Sequence, residues 1–250
     1  MSKRKSRLLG IGFAALLIAV WMGIAVSVGR PYLLPSPVDV AVKLWEDRAV
    51  LFTEHLPATM KVVFLGGGLS ILVGAVFAVL MDLFPVCEKA LYPILTLSQA
   101  IPVICLSPIF VLWFGYTVKM RVIVVILVNF FPVTVNLFDG LRATKDDRME
   151  LMRSFGASRM QSFLFLRFPT SLPYLFTALR IAVPWAVIAA AVSEWLGAPK
   201  GLGTFSRYYM MNLDAAGLLA PLVLLAAAAL LLNGILKWIE DRIVFWRGES

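Results

Sequence analysis

Ionisable side chains are scarce in this sequence of 250 residues. Only 15% of the residues are charged, and the chain has one histidine and two cysteines, Cys87 and Cys105. Soluble domains carry about a quarter charged residues, so this composition excludes an ordinary water-soluble domain. The two cysteines match no metal-binding or redox spacing, and we expect both to be free thiols.

Motifs that support catalysis or hold a metal are missing as well. The sequence contains no His-Glu-x-x-His motif, no Gly-x-Ser-x-Gly nucleophile elbow and no aspartate-rich cluster. The single histidine, His55, is expected to be a surface residue outside the bilayer. We therefore predict no catalytic residue, no metal site and no cofactor, which disfavours a membrane enzyme.

Long apolar runs take the place of charge. Hydrophobic residues make up 60% of the chain, and the mean hydropathy is +0.87. A membrane-spanning helix needs about 20 predominantly apolar residues, with a range of roughly 17–25. Six runs fit, at 8–29, 62–81, 90–118, 122–138, 175–196 and 215–236. We predict an all-α integral membrane protein with about six transmembrane helices.

The net charge of +8 lies mostly in the segments between these runs. A basic chain can bind nucleic acid, but cations that flank apolar runs are typical of the positive-inside distribution of membrane proteins. The alternation of basic and less basic segments favours both termini in the cytoplasm. We therefore expect a lipid environment and no nucleic-acid partner.

The predicted spans divide the chain into four parts. Residues 1–29 form a cytoplasmic tail and an uncleaved first span, because the apolar run is longer than that of a signal peptide. Residues 30–56 form an external segment with an amphipathic helix that lies on the membrane surface. Residues 57–243 hold the other five spans, and residues 244–250 form a cytoplasmic tail.

The second span carries a ladder of small side chains. Gly66, Ser70, Gly74 and Ala78 recur at intervals of four residues and so share one helical face. Small residues let helix backbones approach closely in lipid, where packing drives association. We predict that this face packs tightly against another span.

The third span contains three prolines, Pro93, Pro102 and Pro108. Prolines kink a membrane helix and are tolerated where neighbours or a water-filled cavity satisfy the freed backbone groups. We expect this span to line a pathway, although hydrogen bonding between helices would also explain its polar residues and those of the fourth span. The candidate path residues are Ser98, Gln99, Ser107, Asn129 and Asn136 in these two spans, with Trp185 and Glu194 in the fifth.

Two charges interrupt the fifth span, Arg180 near one end and Glu194 near the other. Arg180 is expected to extend its side chain to the cytoplasmic headgroups. Glu194 lies about 21 Å further along the helix, near the outer face. It either gates the path or contacts the entering substrate, or it is an interfacial charge beside Trp195.

The longest predicted cytoplasmic loop, residues 139–170, has strong local organisation. Thr144 begins a [ST]-x-x-[DE] capping pattern, and Gly156 favours a left-handed helix end. Ser158 begins a second capping box, and the helix that follows is expected to reach Pro169. A helix, a glycine turn and a second helix predict a docking surface for another protein.

Glu150, Gly156 and Pro169 resemble the "EAA" loop of permeases from binding-protein-dependent ABC importers. The resemblance implies a type I importer fold in a bacterial inner membrane and a cytoplasmic coupling helix that docks on an ATPase subunit. The family usually has small residues after the glutamate, whereas Leu151 and Met152 follow it here. The residues assigned to ATPase coupling are Glu150, Arg153, Gly156, Ala157, Ser158 and Pro169.

Other motifs resemble the branch that carries sulfonates, nitrate, taurine or precursors of thiamine or riboflavin. They are LPSP at 34–37, WFG at 113–115, LPY at 172–174 and SEWLG at 193–197. FPVTVN at 131–136 most resembles permeases for the hydroxymethylpyrimidine precursor of thiamine. The resemblance implies two ATP-binding subunits, a second permease copy in a homodimer and an external binding protein.

A secondary transporter or channel without an ATPase is the alternative from a different class. Such proteins often consist of two similar halves with buried ionisable residues. The sequence shows no convincing internal repeat and few charges near the centres of its spans. The importer permease is therefore the favoured interpretation.

Overall fold

The computed structural model describes residues 3–246, so residues 247–250 of the predicted tail lie outside the described part. Ten helices form that part: α1 (Lys3–Val28), α2 (Pro37–Glu46), α3 (Arg48–Leu83), α4 (Pro85–Ala100), α5 (Val103–Phe114), α6 (Val118–Arg142), α7 (Asp146–Ser154), α8 (Arg159–Trp195), α9 (Leu202–Met211) and α10 (Ala215–Ile243). Each of α3 and α8 contains one π-helical turn, at Leu51–His55 and Phe163–Arg167 respectively.

Four helices are long and apolar enough to cross a membrane, namely α3, α6, α8 and α10. The bent pair of α4 and α5 makes a fifth span if it is counted as one. The apolar part of α1, Gly12–Val28, is shorter but within the lower range for a span. The predicted all-α membrane architecture is confirmed, and the number of apolar helices is roughly the six expected.

The predicted third span is two helices rather than one kinked helix. α4 ends at Ala100 and α5 begins at Val103, and their axes differ by 103°. Ile101 and Pro102 between them have extended backbone angles. Proline has no N–H to donate and disfavours helical angles in the residue before it, so Pro102 turns a kink into a full break.

The small-residue face of α3 packs against α6 as predicted. A Cβ added at Gly66 would lie 2.6 Å from Cβ of Val125, and one at Gly74 would lie 2.8 Å from Cγ1 of Val133. Ser70 and Ala78 on the same face are fully buried. The two backbones are therefore so close that no larger side chain fits at either glycine.

The apolar core has two parts, which lie at opposite ends of the packed helices α3, α6 and α8. One includes Leu51, Val62, Val125, Ala190 and Leu202 and also involves α9. The other contains Met81 of α3 together with Phe138 and Leu141 of α6. Helix α6 lies between α3 and α8, contacts both of them and so forms the centre of the bundle.

The predicted external helix is α2. Val40 on its inner side is buried, whereas Trp45 is exposed, so α2 carries apolar side chains on its outer face too. The indole N–H of Trp21 in α1 donates to the carbonyl of Pro35 at 3.0 Å and joins the first helix to this segment. Its position on a membrane surface stays a prediction, and the boundary predicted at residues 56 and 57 falls inside the continuous α3.

Candidate functional site

The coupling loop, residues 139–170, turns at Gly156 as predicted. Gly156 has a φ of +72°, which only glycine adopts without penalty. Its N–H donates to the carbonyl of Arg153 at 2.9 Å, and the N–H of Ala157 donates to the carbonyl of Met152 at 3.0 Å. These two bonds form a Schellman motif, which ends α7 by satisfying its last carbonyl groups.

Ser158 starts the next helix through the predicted capping box. Its hydroxyl accepts from the N–H of Gln161 at 3.2 Å, and its N–H donates to Oε1 of Gln161 at 2.8 Å. Only Ala157 separates the two caps. The turn geometry is therefore fixed by local hydrogen bonds, independently of the rest of the protein.

Two boundaries of the coupling loop differ from the sequence prediction. Thr144 does not cap α7: the cap residue is Lys145, whose side chain makes no capping bond, and Asp146 and Asp147 supply negative charge to the first turn instead. Pro169 does not end a helix, because α8 runs through it without a break. Proline is tolerated there since a π-helical turn precedes it and loosens the backbone ladder.

The coupling loop exposes apolar side chains around this turn. No residue of α7 is buried, and Glu150 and Arg153 both face outward. Phe155, directly before Gly156, is 77% exposed, and Met160 after the turn is 65% exposed. Exposed apolar residues within a polar loop are typical of a protein interaction surface.

Arg167 connects the coupling loop to the helices behind it. Its guanidinium pairs with Asp82 at the end of α3 and donates to the carbonyl of Leu141 at the end of α6 at 3.2 Å. The side chain of Asp82 is only 2% exposed, so the carboxylate of the pair is largely shielded from water. A displacement of the loop would therefore be passed to two spans at once.

A cavity of about 640 Å³ opens beside the break between α4 and α5. Gln99 and Trp185, two of the predicted path residues, line it, together with Ser98 and Phe131. The cavity thus lies where the proline-rich span was expected to border a pathway. Ser98 was also a path candidate, whereas Phe131 was not assigned to the path, although it neighbours Pro132 in the sequence.

Ser107 and Asn129 are not among the residues that line this cavity. Both are fully buried. The hydroxyl of Ser107 donates to the carbonyl of Val103 at 3.3 Å, and the amide of Asn129 donates to that of Val125 at 3.1 Å. These bonds are within each residue's own helix rather than between helices, and the assignment of both residues to the path stays a prediction.

Glu194 has no exposed surface either. Its carboxylate accepts from the hydroxyl of Thr59 at 3.1 Å and from the N–H of Gly203 at 2.8 Å, and it lies 3.9 Å from the guanidinium of Arg121. The carboxylate is therefore not at the surface in this structure, and its role on the path stays a prediction. These four residues, which we call the Glu194 cluster, join α3, α6, α8 and α9.

Glycines make the Glu194 cluster possible. Gly201 has a φ of +148°, and a Cβ there would lie 2.1 Å from Cδ of Glu194. His55 is half-buried rather than on the surface, because its Nδ1 lies 2.8 Å from the carbonyl oxygen of Gly201 and 3.1 Å from its N–H. The contact with His55 thus fixes the segment that follows α8, and Gly201 in this segment lies directly against the carboxylate of Glu194.

Arg180 has a specific partner instead of reaching only for headgroups. Its guanidinium pairs with Glu240 in α10, an acid that is 6% exposed. Arg121, Asp82 and Glu240 were all missed as functional or structural sites. Their signal in the sequence was a charge inside or beside an apolar run, but nothing in the sequence indicates which charges pair.

A comparison with known proteins identifies the class of molecule to which these features belong. Residues 48–245 match the family model described as "Binding-protein-dependent transport system inner membrane component". The formylaminopyrimidine transport permease protein ThiX of Halalkalibacterium halodurans is 45% identical over 95% of both chains. The taurine transport system permease protein TauC of Escherichia coli is 30% identical over 96% of this chain and 90% of its own.

Solved structures agree on the fold. A chain of the MetNI methionine ABC transporter in an inward-facing conformation has a TM-score of 0.63 and 21% identity, and the match covers 80% of this chain and 96% of that one. The resemblance predicted from the coupling loop is therefore confirmed by the family match, by two relatives of nearly the same length and by the fold. The chain belongs to the inner membrane components of binding-protein-dependent transport systems, the permeases of ABC importers.

Proposed function

We propose that this permease forms, as a homodimer, the membrane path for a small thiamine precursor of the hydroxymethylpyrimidine type. Its class works with an ATPase and a substrate-binding protein. In this proposal two ATP-binding subunits dock on the coupling loops of the two copies. An external binding protein delivers the solute, and both termini of the permease lie in the cytoplasm.

The observation that carries the coupling role is the exposed turn at Gly156. Phe155 and Met160 expose large apolar surfaces on either side of a turn that local bonds fix. Burying such surface against another protein contributes about 25 cal/mol per Å². The ion pair of Arg167 with Asp82 then links the docked loop to α3.

The charge distribution supports the orientation. The coupling loop is rich in arginine, and basic loops stay on the cytoplasmic side of the membrane. The Glu194 cluster lies at the other end of α8, and so belongs to the external side in this orientation. The docking surface and the entry for solute are thus on opposite sides.

The substrate proposal draws on sequence similarity. A relative that is 45% identical over nearly the whole chain is named for formylaminopyrimidine transport, whereas the taurine permease is 30% identical. Riboflavin, aliphatic sulfonates, taurine and nitrate are the alternative substrates within the importer class. The identity of the ligand that the cognate binding protein holds discriminates among these substrates. If that ligand is a sulfonate or nitrate, the proposal of a pyrimidine substrate is refuted.

The coupling role is tested with Gly156→Leu. A side chain at a φ of +72° costs about 1–2 kcal/mol and distorts the turn that meets the ATPase. Membrane insertion should be normal, while ATP-driven uptake of labelled hydroxymethylpyrimidine into proteoliposomes that hold the complete transporter should be lost. Gly68→Leu is the control, because Gly68 is exposed, has no neighbour within 4 Å of an added Cβ and has ordinary helical angles.

Normal uptake by Gly156→Leu would refute docking at this turn. A transporter of the alternative class needs no ATPase, so uptake by the permease alone, without ATP, would refute the importer assembly. We also expect the purified permease alone to hydrolyse no ATP.

A further inference from the structure

The cavity beside the break between α4 and α5 has one polar edge and aromatic walls. Ser98 and Gln99 of α4 provide the side-chain polar groups, and Phe131 of α6 and Trp185 of α8 provide the aromatic rings. Its other lining residues are aliphatic side chains and the prolines Pro102 and Pro132. The cavity therefore offers flat apolar contacts together with a small number of hydrogen-bonding groups.

None of the described lining residues is charged. Two arginines elsewhere on the lining helices are not available to an anion: Arg121 of α6 lies 3.9 Å from Glu194, and Arg180 of α8 pairs with Glu240. The lining holds no cation with which a sulfonate or nitrate could pair. Because transferring a charge from water to apolar surroundings without a partner costs free energy, the cavity favours a neutral solute.

The polar edge suits a nitrogen heterocycle. Within residues 3–246 the Gln99 amide has no hydrogen-bonding partner, so its carbonyl is free to accept and its amino group is free to donate. The same pair of groups matches the adjacent exocyclic amine and ring nitrogen of an aminated base. The Ser98 hydroxyl donates to the carbonyl of Leu95 at 2.7 Å and keeps its oxygen as an acceptor.

From this geometry we infer that the cavity is a substrate-binding site for a neutral, planar nitrogen heterocycle. Trp185 and Phe131 contact the faces of the ring, and Gln99 bonds its edge. The inference deepens the proposed function, on which it rests: the permease itself selects against the anions that related importers carry. Selectivity is then shared between the external binding protein and this cavity.

The test measures binding to the permease without the binding protein. The permease and its ATPase subunits are placed in nanodiscs, and equilibrium dialysis follows radiolabelled 4-amino-5-hydroxymethyl-2-methylpyrimidine. We expect saturable binding that unlabelled taurine and nitrate do not displace. Trp185→Ala should weaken it roughly tenfold, since stacking on an aromatic ring contributes that much per base, and Gln99→Leu should weaken it about fivefold through the lost hydrogen bonds.

Two further variants separate recognition from folding. Trp185→Phe keeps an aromatic ring and should bind within about threefold of the unchanged protein. Trp238→Ala removes a tryptophan of similar exposure, 61% against 53%, from α10 away from the cavity and should bind normally. Equal binding by Trp185→Ala and Trp238→Ala, or displacement by taurine or nitrate, would overturn the inference.

A parallel uptake assay separates this inference from the proposed function. If the complete transporter takes up the pyrimidine but the permease shows no saturable binding, the cavity is not a binding site, and a second permease copy that fills it becomes the explanation. If the complete transporter takes up taurine or nitrate instead of the pyrimidine, the proposed function itself fails and the inference fails with it.

Discussion

Glu194 and Glu150 are both glutamates close to the end of a helix, yet the first has no exposed surface and the second faces outward. Around Glu194, Oε2 accepts hydrogen bonds from Thr59 and Gly203, and Oε1 lies 3.9 Å from the guanidinium of Arg121. Glu150 lies in a helix that has no buried residue and ends in the local turn at Gly156, where Phe155 stays exposed.

The two ends of α8 thus differ: contacts within the chain complete one end, whereas the coupling loop at the other end exposes apolar side chains that we propose an ATPase subunit covers. In the Glu194 cluster, four helices meet where Thr59, Gly203 and Arg121 contact the carboxylate of Glu194. In the coupling loop, caps at Gly156 and Ser158 fix the shape of a surface whose apolar side chains remain uncovered. A substitution in the first should therefore act on stability, and one in the second on transport.

The largest effect is expected from the two glutamates themselves. Glu194→Ala leaves Arg121 buried without its partner, which costs roughly 3–5 kcal/mol, so the midpoint of thermal unfolding in detergent should fall markedly. Glu150→Ala removes an exposed side chain and should leave that midpoint nearly unchanged while it lowers uptake. Equal stability of the two variants would show that the Glu194 cluster does not hold the helices together.

Two glycines sharpen the same contrast. An added Cβ at Gly203 would lie 2.1 Å from the carbonyl oxygen of Ala191, whereas one at Gly156 meets nothing within 4 Å. Gly203→Ala should destabilise the protein towards the upper end of roughly 1–3 kcal/mol, because backbone cannot move aside easily. Gly156→Ala should lower the stability less than Gly203→Ala does, but it should lower uptake more. Chemical denaturation and proteoliposome uptake of both variants check this.

Replacement of Arg167, which links the coupling loop to α3 and α6, should affect both stability and transport. Arg167→Ala leaves the shielded Asp82 without its partner and should cost roughly 1–3 kcal/mol. It should also uncouple transport, so that ATP hydrolysis by the complete transporter continues with less uptake per ATP. Arg159→Ala, an exposed arginine of the same loop, is the control for stability. An unchanged ratio of uptake to hydrolysis in Arg167→Ala would contradict the link.

The smallest effects are expected at the two capping boxes. Hydrogen bonds from the hydroxyl and the N–H of Ser36 hold the pKa of Asp39 below its ordinary value. The folded state therefore gains stability above the unfolded pKa of Asp39 and loses it as the pH falls through the lower folded pKa. The Ser158 box uses the neutral Gln161 and should not respond to pH.

Ser158→Ala should cost about 1 kcal/mol at any pH. Ser36→Ala should raise the pKa of Asp39, which carboxylate NMR of the labelled protein can measure. Its destabilising effect should shrink in acid, where Asp39 is protonated in both states. An effect of Ser36→Ala that grows on acidification would contradict the assigned hydrogen bonds.

The locally encoded parts of the fold and the site could be predicted. Gly156 and Ser158 act through the angles and hydrogen bonds of residues within a few positions, so their roles are visible in sequence. The spacing of Gly66 and Gly74 predicted a packed face because helical periodicity is regular. The break at Pro102 was only partly predictable, since proline indicates a distortion but not whether the helix resumes.

Contacts between distant residues could not be predicted. Thr59 bonds Glu194 across 135 positions, and Arg167 pairs with Asp82 across 85. The complete burial of Glu194 and Asn129 could therefore not be inferred from the sequence. The sequence alone determined that this chain is a membrane permease. The length of an apolar run and the caps of the coupling turn depend only on residues that are close together in the sequence, so both can be recognised without the tertiary structure. Which polar groups become buried partners and which line the cavity was decided only by the tertiary structure, because burial depends on how the helices pack.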